Sequence, residues 1–421
     1  MIKNEVVLTG IGVLSSIGIT KDSFWTSLCE GKSGIGYLQS IETQMMNRPI
    51  GSEVPDFRPK DYIKPKKNIK VMSRDIQMGV VSVAHACQDA QLITDGEERS
   101  VDPERIGVIF GCDLIGLELS ELVDAFKAGI QCGKHDFSTW GHSAMEKIMP
   151  LWMLKYLPNM PACHIGIALD ARGPNNTPTL DRGSSLSALI EAFRVLERGD
   201  ADVMVCGGCG NKINPTVLAR GKSYNLAPWS NDPQTIPRPF DVDRVGTVIG
   251  EGAAAFVLER KEFAQARGVQ PIATIRGAAR TNAPTGRIGI QEESIIRAIQ
   301  LALKEADRTP KDLGHLNAEG LGTIFEDAIE AQAIQKTLND IPVFTGKGHF
   351  GNLGSGTGAV ELAASLLAIQ HKTVPATRNC QNIATDCPIN VINNLPYSIN
   401  ASTFLKINHS NTGRAFAVVF E

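Results

Sequence analysis

Four stretches of this chain carry residue types at spacings that could do chemistry. Cys206-Gly-Gly-Cys209 has the spacing of half a zinc site or of a redox dithiol. No second Cys-x-x-Cys or His-x-x-x-His completes four ligands, and the pair ends a strand-like run, Asp202-Val-Met-Val205. Both cysteines therefore read as small buried residues at a strand end, and no metal site is expected. Cys163-His164 sets a thiol beside a base, the minimum for an activated nucleophile. On an extended chain, which is the conformation expected there, adjacent side chains point to opposite faces, so Cys163 reads as a packed thiol. Ser184 and Ser185 open a helix without an obvious base beside them. The fourth stretch, KPKKNIKVMSR at 64–74, gathers Lys66, Lys67, Lys70 and Arg74 into a docking surface for an acidic partner or a solvated charged turn.

The elements that must position these residues are legible from apolar patterning. VVLTGIGVL (6–14), IGVIFG (106–111) and ADVMVCGG (201–208) are continuous apolar runs closed by glycines, as buried strands are. AAAFVLER (253–260), PIATIRGAAR (271–280), IPVFT and the closing RAFAVVFE add further strands. Helical spacing marks 21–30, 73–92, 185–199, 292–306 and 360–370, with an irregular section from 111 to about 160. Alternating strands and helices in both halves argue α/β with mostly parallel sheets. A short charged helix near 260–268 is the expected seam, giving halves 1–262 and 263–421.

The 421 residues hold 42 basic and 45 acidic side chains, a formal net charge of −3. Nucleic-acid binding would need a basic excess or stripe, so it is not expected. No apolar run reaches the ~18 residues of a membrane span, and the first residues lack the apolar core of a signal peptide. Nine scattered cysteines are too few and too irregular for a disulfide scaffold, which argues reduced thiols and a cytoplasmic protein.

Several segments together resemble one family. VVLTGIGVLSSIG is similar to its first strand, and GDADVMVCGG (199–208) to the strand after its nucleophile helix. PRPFDVDRVGTVIGEGAAAFVLE (237–259) is similar to its signature ending in Gly-Glu-Gly-Ala. The family is the β-ketoacyl-acyl-carrier-protein synthases of the elongating type, and the resemblance runs from residue 5 to the last strand. It implies a thiolase fold: two similar halves layered α-β-α-β-α, with five-stranded mixed sheets, in a dimer. It implies condensation of a malonyl-carrier with an acyl thioester, using a cysteine at a helix N-terminus and two histidines. There the helix dipole favours a thiolate, and the histidines stabilise the enolate or oxyanion.

None of the three residues is present at the matching position. A gap-free match, anchored by Arg172-Gly-Pro174, Ala188 and Arg194, sets the nucleophile position at Arg182. A guanidinium stays protonated and cannot attack a thioester. The family reads Asn-Ala-His-Gly at its first histidine; this chain reads Asn317-Ala-Glu319-Gly, with Asp327 and Glu330 in place. The second histidine falls five residues after a lysine, and here Lys347 is followed by Asn352. A register three residues different would promote His349. Lys347 and Glu361 match the family's supporting pair, and Phe404-Leu-Lys-Ile-Asn408 stands where the family has its glycine-rich gate.

The resemblance then implies a degenerate member, similar to the chain-length factors that pair with an active ketosynthase. Those carry glutamine at the nucleophile position, where this chain has Arg182. Arg182 and Glu319 are expected to form a buried bridge, with Asn352 or Asp181 taking further donors. Implied partners are a second copy or an active ketosynthase, paired through the apolar strand Asp202–Gly208, and an acyl carrier protein at the lysine run. No cofactor of its own is implied, since phosphopantetheine would arrive on the carrier. The alternatives are an active synthase or decarboxylase with unusual residues, and a binding protein for an acyl chain or acyl carrier.

Overall fold

Nine consecutive buried residues, Val6–Leu14, form the first strand, β1. A strand covered on both faces shows no polar alternation, which is why this one is so plain in the sequence. The structure is a computed structural model and describes residues 4–41, 49–92, 101–131, 133–221, 225–283, 289–393 and 395–421. After β1 come α1 (Arg74–Asp89), β2 (Ile106–Gly111), α2 (Met160–Leu169) and β3 (Asn175–Asn176). Next are α3 (Ser184–Arg198), β4 (Val203–Asn211) and β5 (Glu251–Arg260). The remainder holds β6 (Ala273–Asn282), α4 (Glu292–Ala306), β7 (His315–Asn317), α5 (Ile324–Leu338) and β8 (Pro342–Phe344). It ends with α6 (Thr357–His371), β9 (Asn390–Val391), β10 (Phe404–His409) and β11 (Arg414–Phe420).

These strands pair in the order β9-β8-β7-β10-β11-β6-β1-β5-β4-β2-β3. The same plan occurs twice. The last strand of each half returns antiparallel beside the first, β5 on β1 and β11 on β6. The next strand in is antiparallel to it, and the ladder then runs parallel, β4 with β2 and β10 with β7. The sheets are thus mixed, whereas strand–helix alternation alone suggested mostly parallel ones. β1 and β6 meet antiparallel, with Val6 opposite Ile275, so one ladder of eleven strands runs through both halves. The C-terminal part has six strands rather than five, the sixth being the two-residue β9.

Helices lie in three layers around this ladder. α1 and α2 cover one outer face, packing Ile76, Val80 and Ile165 on Val108 and Val205. α4 and α5 cover the other with Ile295, Ile299 and Ile334 on Leu405 and Ile407. Between the sheets, α3 and α6 pack Leu189, Phe193, Leu362 and Leu366 with Val6, Phe256, Phe404 and Phe420. Twelve of the fifteen residues of α6 are buried, as a helix with sheets on both sides requires. This is the α-β-α-β-α order of a thiolase-like fold.

Glycines let the two central helices begin unusually close to the strand ends. A Cβ on Gly111 would sit 2.4 Å from the carbonyl carbon of Ser184, and one on Gly358 would sit 2.4 Å from Asn408 Oδ1. Both contacts are far inside ordinary packing distance. The starts of α3 and α6 therefore converge on one spot, which fixes the site.

Two expectations are corrected here. Cys163-His164 lies in α2, not on an extended chain, so its side chains diverge by the helical ~100° rather than to opposite faces of a strand. The strand at Asp202–Gly208 is not an edge. β4 is paired with β2 on one side and β5 on the other, and the open edge of that sheet is the exposed β3.

Candidate functional site

The turn Asp181–Gly183 leads directly into α3. Asp181 is left-handed there (φ 53°), a conformation aspartate tolerates better than most residues. Arg182 follows it into the interior and is 5% exposed. Its Nε lies 2.8 Å from Glu319 Oε1, while Nη2 donates to Glu326 Oε2 at 2.8 Å and to Asn411 Oδ1 at 3.0 Å. The Nε approach is close but off the hydrogen-bonding direction, so attraction there is coulombic. Burial disfavours the charged guanidinium, but Glu326, Glu319 and Asp181 outweigh it and raise its pKa above the ordinary arginine value.

Glu319 is fully buried at the end of β7. Its Oε2 accepts from the backbone N–H of His409 at 2.8 Å and from Asn408 Nδ2 at 3.3 Å. Burial alone would raise Glu319, yet His409, Arg182 and Lys347 hold it at about 2. The loop after it is pinned from α5. Glu330 accepts the N–H groups of Glu319 (2.7 Å) and Gly320 (2.8 Å), and Asp327 accepts those of Phe240, Gly322 and Thr323. Carboxylates in the first turns of α5 also suit its positive end.

Beneath Glu319 lies a second buried charge group. Lys347 donates to the Glu319 carbonyl at 2.9 Å and pairs with Glu361. Lys406, on β10, reaches the other Glu361 oxygen at 2.6 Å and Asn317 Oδ1 at 3.0 Å. Burial pulls the Lys406 pKa below the usual lysine value, and Glu361 offsets part of that. His409 sits over the group with Nε2 3.5 Å from Glu330 and Nδ1 3.8 Å from Glu319. Burial opposes its charge, but the carboxylates prevail and raise its pKa.

A cavity of about 480 Å³ opens over Arg182. Leu114, Leu117, Val217 and Leu226 make its apolar wall, and Asn211, Asn225, Asn352 and Asn411 its polar one. The hydrogen bonds of Asn352 among the described residues are not to Arg182: its Oδ1 accepts from Gly354 N–H at 3.0 Å and Thr357 Oγ1 at 3.3 Å, at the start of α6. Among the described residues no cysteine or serine lines this cavity. Ser184 donates to the Asp181 carbonyl and Ser185 accepts from Ala359 N–H, so both hydroxyls serve the backbone. Glu319, ionised and ion-paired, has no proton to donate near neutral pH.

The structure thus brings Arg182, Glu319, Lys347, Glu361, Asp327 and Glu330 together, with Asn352 at the rim. Phe404 stands apart: it is buried in β10, stacked on His315 (5.1 Å) and Phe420 (5.0 Å), and does not line the cavity. The residue presented there by the β10–β11 turn is Asn411, seven positions later, because the turn follows the strand that holds Phe404. His349 is also elsewhere, its ring nitrogens lying 2.8 Å from the Lys32 carbonyl oxygen and 3.1 Å from that of Ala376. Cys163 accepts from Asn159 Nδ2 at 3.5 Å, and burial keeps the neighbouring His164 neutral-leaning. Cys206 and Cys209 are buried in β4, their thiol pKa values raised, by burial at Cys206 and by Cys112 and burial at Cys209. Among the described residues no cluster of ligands could hold a metal ion, and no helix is long and apolar enough to cross a membrane.

Glu326, Asn411, His409 and Lys406 were missed by sequence reasoning. Lys406 left a signal: a lysine between Leu405 and Ile407 in an apolar strand must be buried with a partner. In the basic run, Lys66, Lys67 and Lys70 are exposed on a tight helical turn, Lys66–Val71. Arg74 is tied down where the lysines are not. It lies at the start of α1, chelates Glu251 at 2.5 and 2.6 Å and sits over Phe57.

Two halves of one plan, closing on a central helical pair with the charge group at their starts, define a thiolase-like ketosynthase architecture. The family model described as the β-ketoacyl synthase N-terminal domain matches residues 3–264, and that of the C-terminal domain matches 272–381. The chain belongs to the β-ketoacyl synthase family. A 3-oxoacyl-[acyl-carrier-protein] synthase 2 of Staphylococcus aureus (strain COL) is 31% identical over 402 residues, 93% of this chain and 91% of the relative. Among solved structures, the ishigamide ketosynthase/chain length factor superposes with TM-score 0.87 at 24% identity, covering 99% of each chain. A type II PKS acyl-carrier protein complexed with its ketosynthase gives TM-score 0.83 at 23% identity, covering 100% of this chain and 99% of the other. At those identities the structures speak for the fold.

Proposed function

We propose that this protein is a non-condensing member of its family, working in fatty acid or polyketide assembly as a chain-length-factor-like subunit beside an active ketosynthase. One observation carries the reading: where the resemblance puts the nucleophile, the turn leading into α3 holds Arg182, ion-paired to Glu319 at the first histidine position and to Glu326. A helix N-terminus that would favour a thiolate instead adjoins a cation held by two carboxylates. The cavity beside it supports retained binding: an acyl thioester arriving on a carrier's phosphopantetheine arm has space there, and no resident cofactor is needed. A ketosynthase/chain length factor among the structural neighbours fits a paired subunit, and an acyl-carrier complex fits a carrier at Lys66, Lys67 and Lys70.

The test is condensation. The purified protein, given malonyl- and acyl-carrier substrates, is expected to form no carbon–carbon bond above background, and Arg182→Cys alone is expected not to restore it. Turnover by the wild-type protein, abolished by Glu319→Gln, would overturn the reading in favour of an active synthase or decarboxylase.

A further inference from the structure

Arg182 faces more carboxylates than one cation can neutralise, and the excess lies on the cavity side. Glu319, on the buried side, is met by His409 and Lys347. Asp181 and Glu326 both line the cavity with Arg182, so its floor carries one more negative than positive charge. Asn225 Nδ2, the other partner of Glu326 at 3.2 Å, adds no charge. The remaining cation of the lining, Lys212, is paired with Asp113 at 3.1 Å. A carboxylate brought to this floor would meet like charge at close range.

A neutral acceptor meets the opposite situation. Both hydrogen bonds that Arg182 makes among the described residues run from Nη2, to Glu326 and Asn411, while the guanidinium also borders the cavity. Thr247 and Thr323, 2% and 6% exposed, border the same cavity with hydroxyls that lack partners there. These are donors held ready for an uncharged oxygen, behind a wall of leucines.

We propose that the cavity takes neutral acyl thioesters, their carbonyl oxygen on the Arg182 guanidinium, and rejects acyl groups that end in a carboxylate, with Asp181 and Glu326 setting that selectivity. This rests on the reading of the protein as a binding, non-condensing subunit. It adds that such a subunit receives a chain already built and excludes the carboxylated extender.

Acetoacetyl- and malonyl-S-pantetheine are close in size and differ in charge, which makes them the probes. In calorimetric titration of the intact protein near pH 7, acetoacetyl-S-pantetheine is expected to bind at least about ten-fold more tightly. Asp181→Asn and Glu326→Gln should each narrow that ratio. Asp181→Asn is the cleaner variant, since it leaves the Arg182–Glu326 pair intact, and an unchanged melting temperature confirms its fold. Equal binding of the two probes by the wild type, or a ratio unmoved by both variants, overturns the selectivity and leaves the non-condensing reading standing. Binding of neither probe overturns the selectivity together with thioester binding at this cavity, while the condensation assay still decides the rest.

Discussion

At the scale of single residues, the site is governed by desolvated charge. Arg182 is the shared partner of Glu319 and Glu326, so truncating it takes a cation from two carboxylates at once, whereas Glu319→Gln removes one charge and leaves Glu326 in place. Breaking a buried pair costs roughly 3–5 kcal/mol. Arg182→Ala is expected at the upper end of that range and Glu319→Gln lower, read by urea denaturation. The double change Arg182→Met, Glu319→Leu should recover only part of the loss, because the His409 N–H and Asn408 lose their acceptor. Stability indifferent to both single changes would mean that the charges are solvated.

Acid and base act on this molecule through different carboxylates. Glu319, held at about 2 from an ordinary 4.5, adds stability above 4.5 that is lost only as pH falls toward 2. Asp75 has the opposite sign. Burial, offset in part by backbone N–H groups of its own turn and of Asn211, pushes it from 3.8 up to about 7. Its contribution is complete below 3.8 and is lost as pH rises through 7. Asp75→Asn should therefore flatten the fall in melting temperature between pH 5 and 8; an unaltered slope would assign that fall to other groups.

At the scale of elements, legibility followed burial. β1, β2 and β4 were plain because a strand covered on both faces is a continuous apolar run, and β2 was bounded to the residue. What the pattern could not carry was pairing: β1 with β6 joins residues nearly 270 apart, and neither run encodes its neighbour. The site divides the same way. Arg182 and Glu319 were legible through the resemblance, and they meet. Glu326, Asn411 and His409 reach Arg182 and Glu319 from a helix start, a turn and a strand end whose approach depends on the whole fold. The basic run shows a further limit, since spacing alone could not separate Arg74, locked to Glu251, from three exposed lysines. Replacing Lys66, Lys67 and Lys70 by glutamate should weaken binding of an acidic carrier by about ten-fold or more, most clearly at low salt, without lowering the melting temperature. Arg74→Ala should lower the melting temperature instead. Carrier affinity unmoved by the triple reversal would place docking elsewhere.

At the scale of the whole molecule, one surface is out of keeping with a solitary chain. Among the described residues, eleven of the 22 exposed large apolar side chains fall within residues 114–153, Phe137 at 78% and Leu114 at 79% among them. The segment leaves β2 beside the open edge, Cys112 N–H bonding the Pro178 carbonyl just past β3. Ile167, 70% exposed, adds to it from α2, the helix that packs against β3. An apolar surface this concentrated, next to unpaired strand groups, is what a subunit interface uses and what an isolated protein avoids. The proposed pairing therefore runs through β3 and this segment rather than through β4, whose two sides are already occupied. Expressed alone, the protein should scatter light at about twice its 45.3 kDa at low micromolar concentration. Phe137→Glu with Leu151→Glu should shift it toward a single chain while leaving its melting temperature near the wild-type value in dilute solution, because both side chains are exposed in the protomer. With an active ketosynthase co-expressed, the same double change should abolish co-purification, since either partner would meet the same face. A wild-type protein that stays at 45.3 kDa alone and beside a ketosynthase would remove the paired subunit and leave a solitary acyl-binding protein in its place.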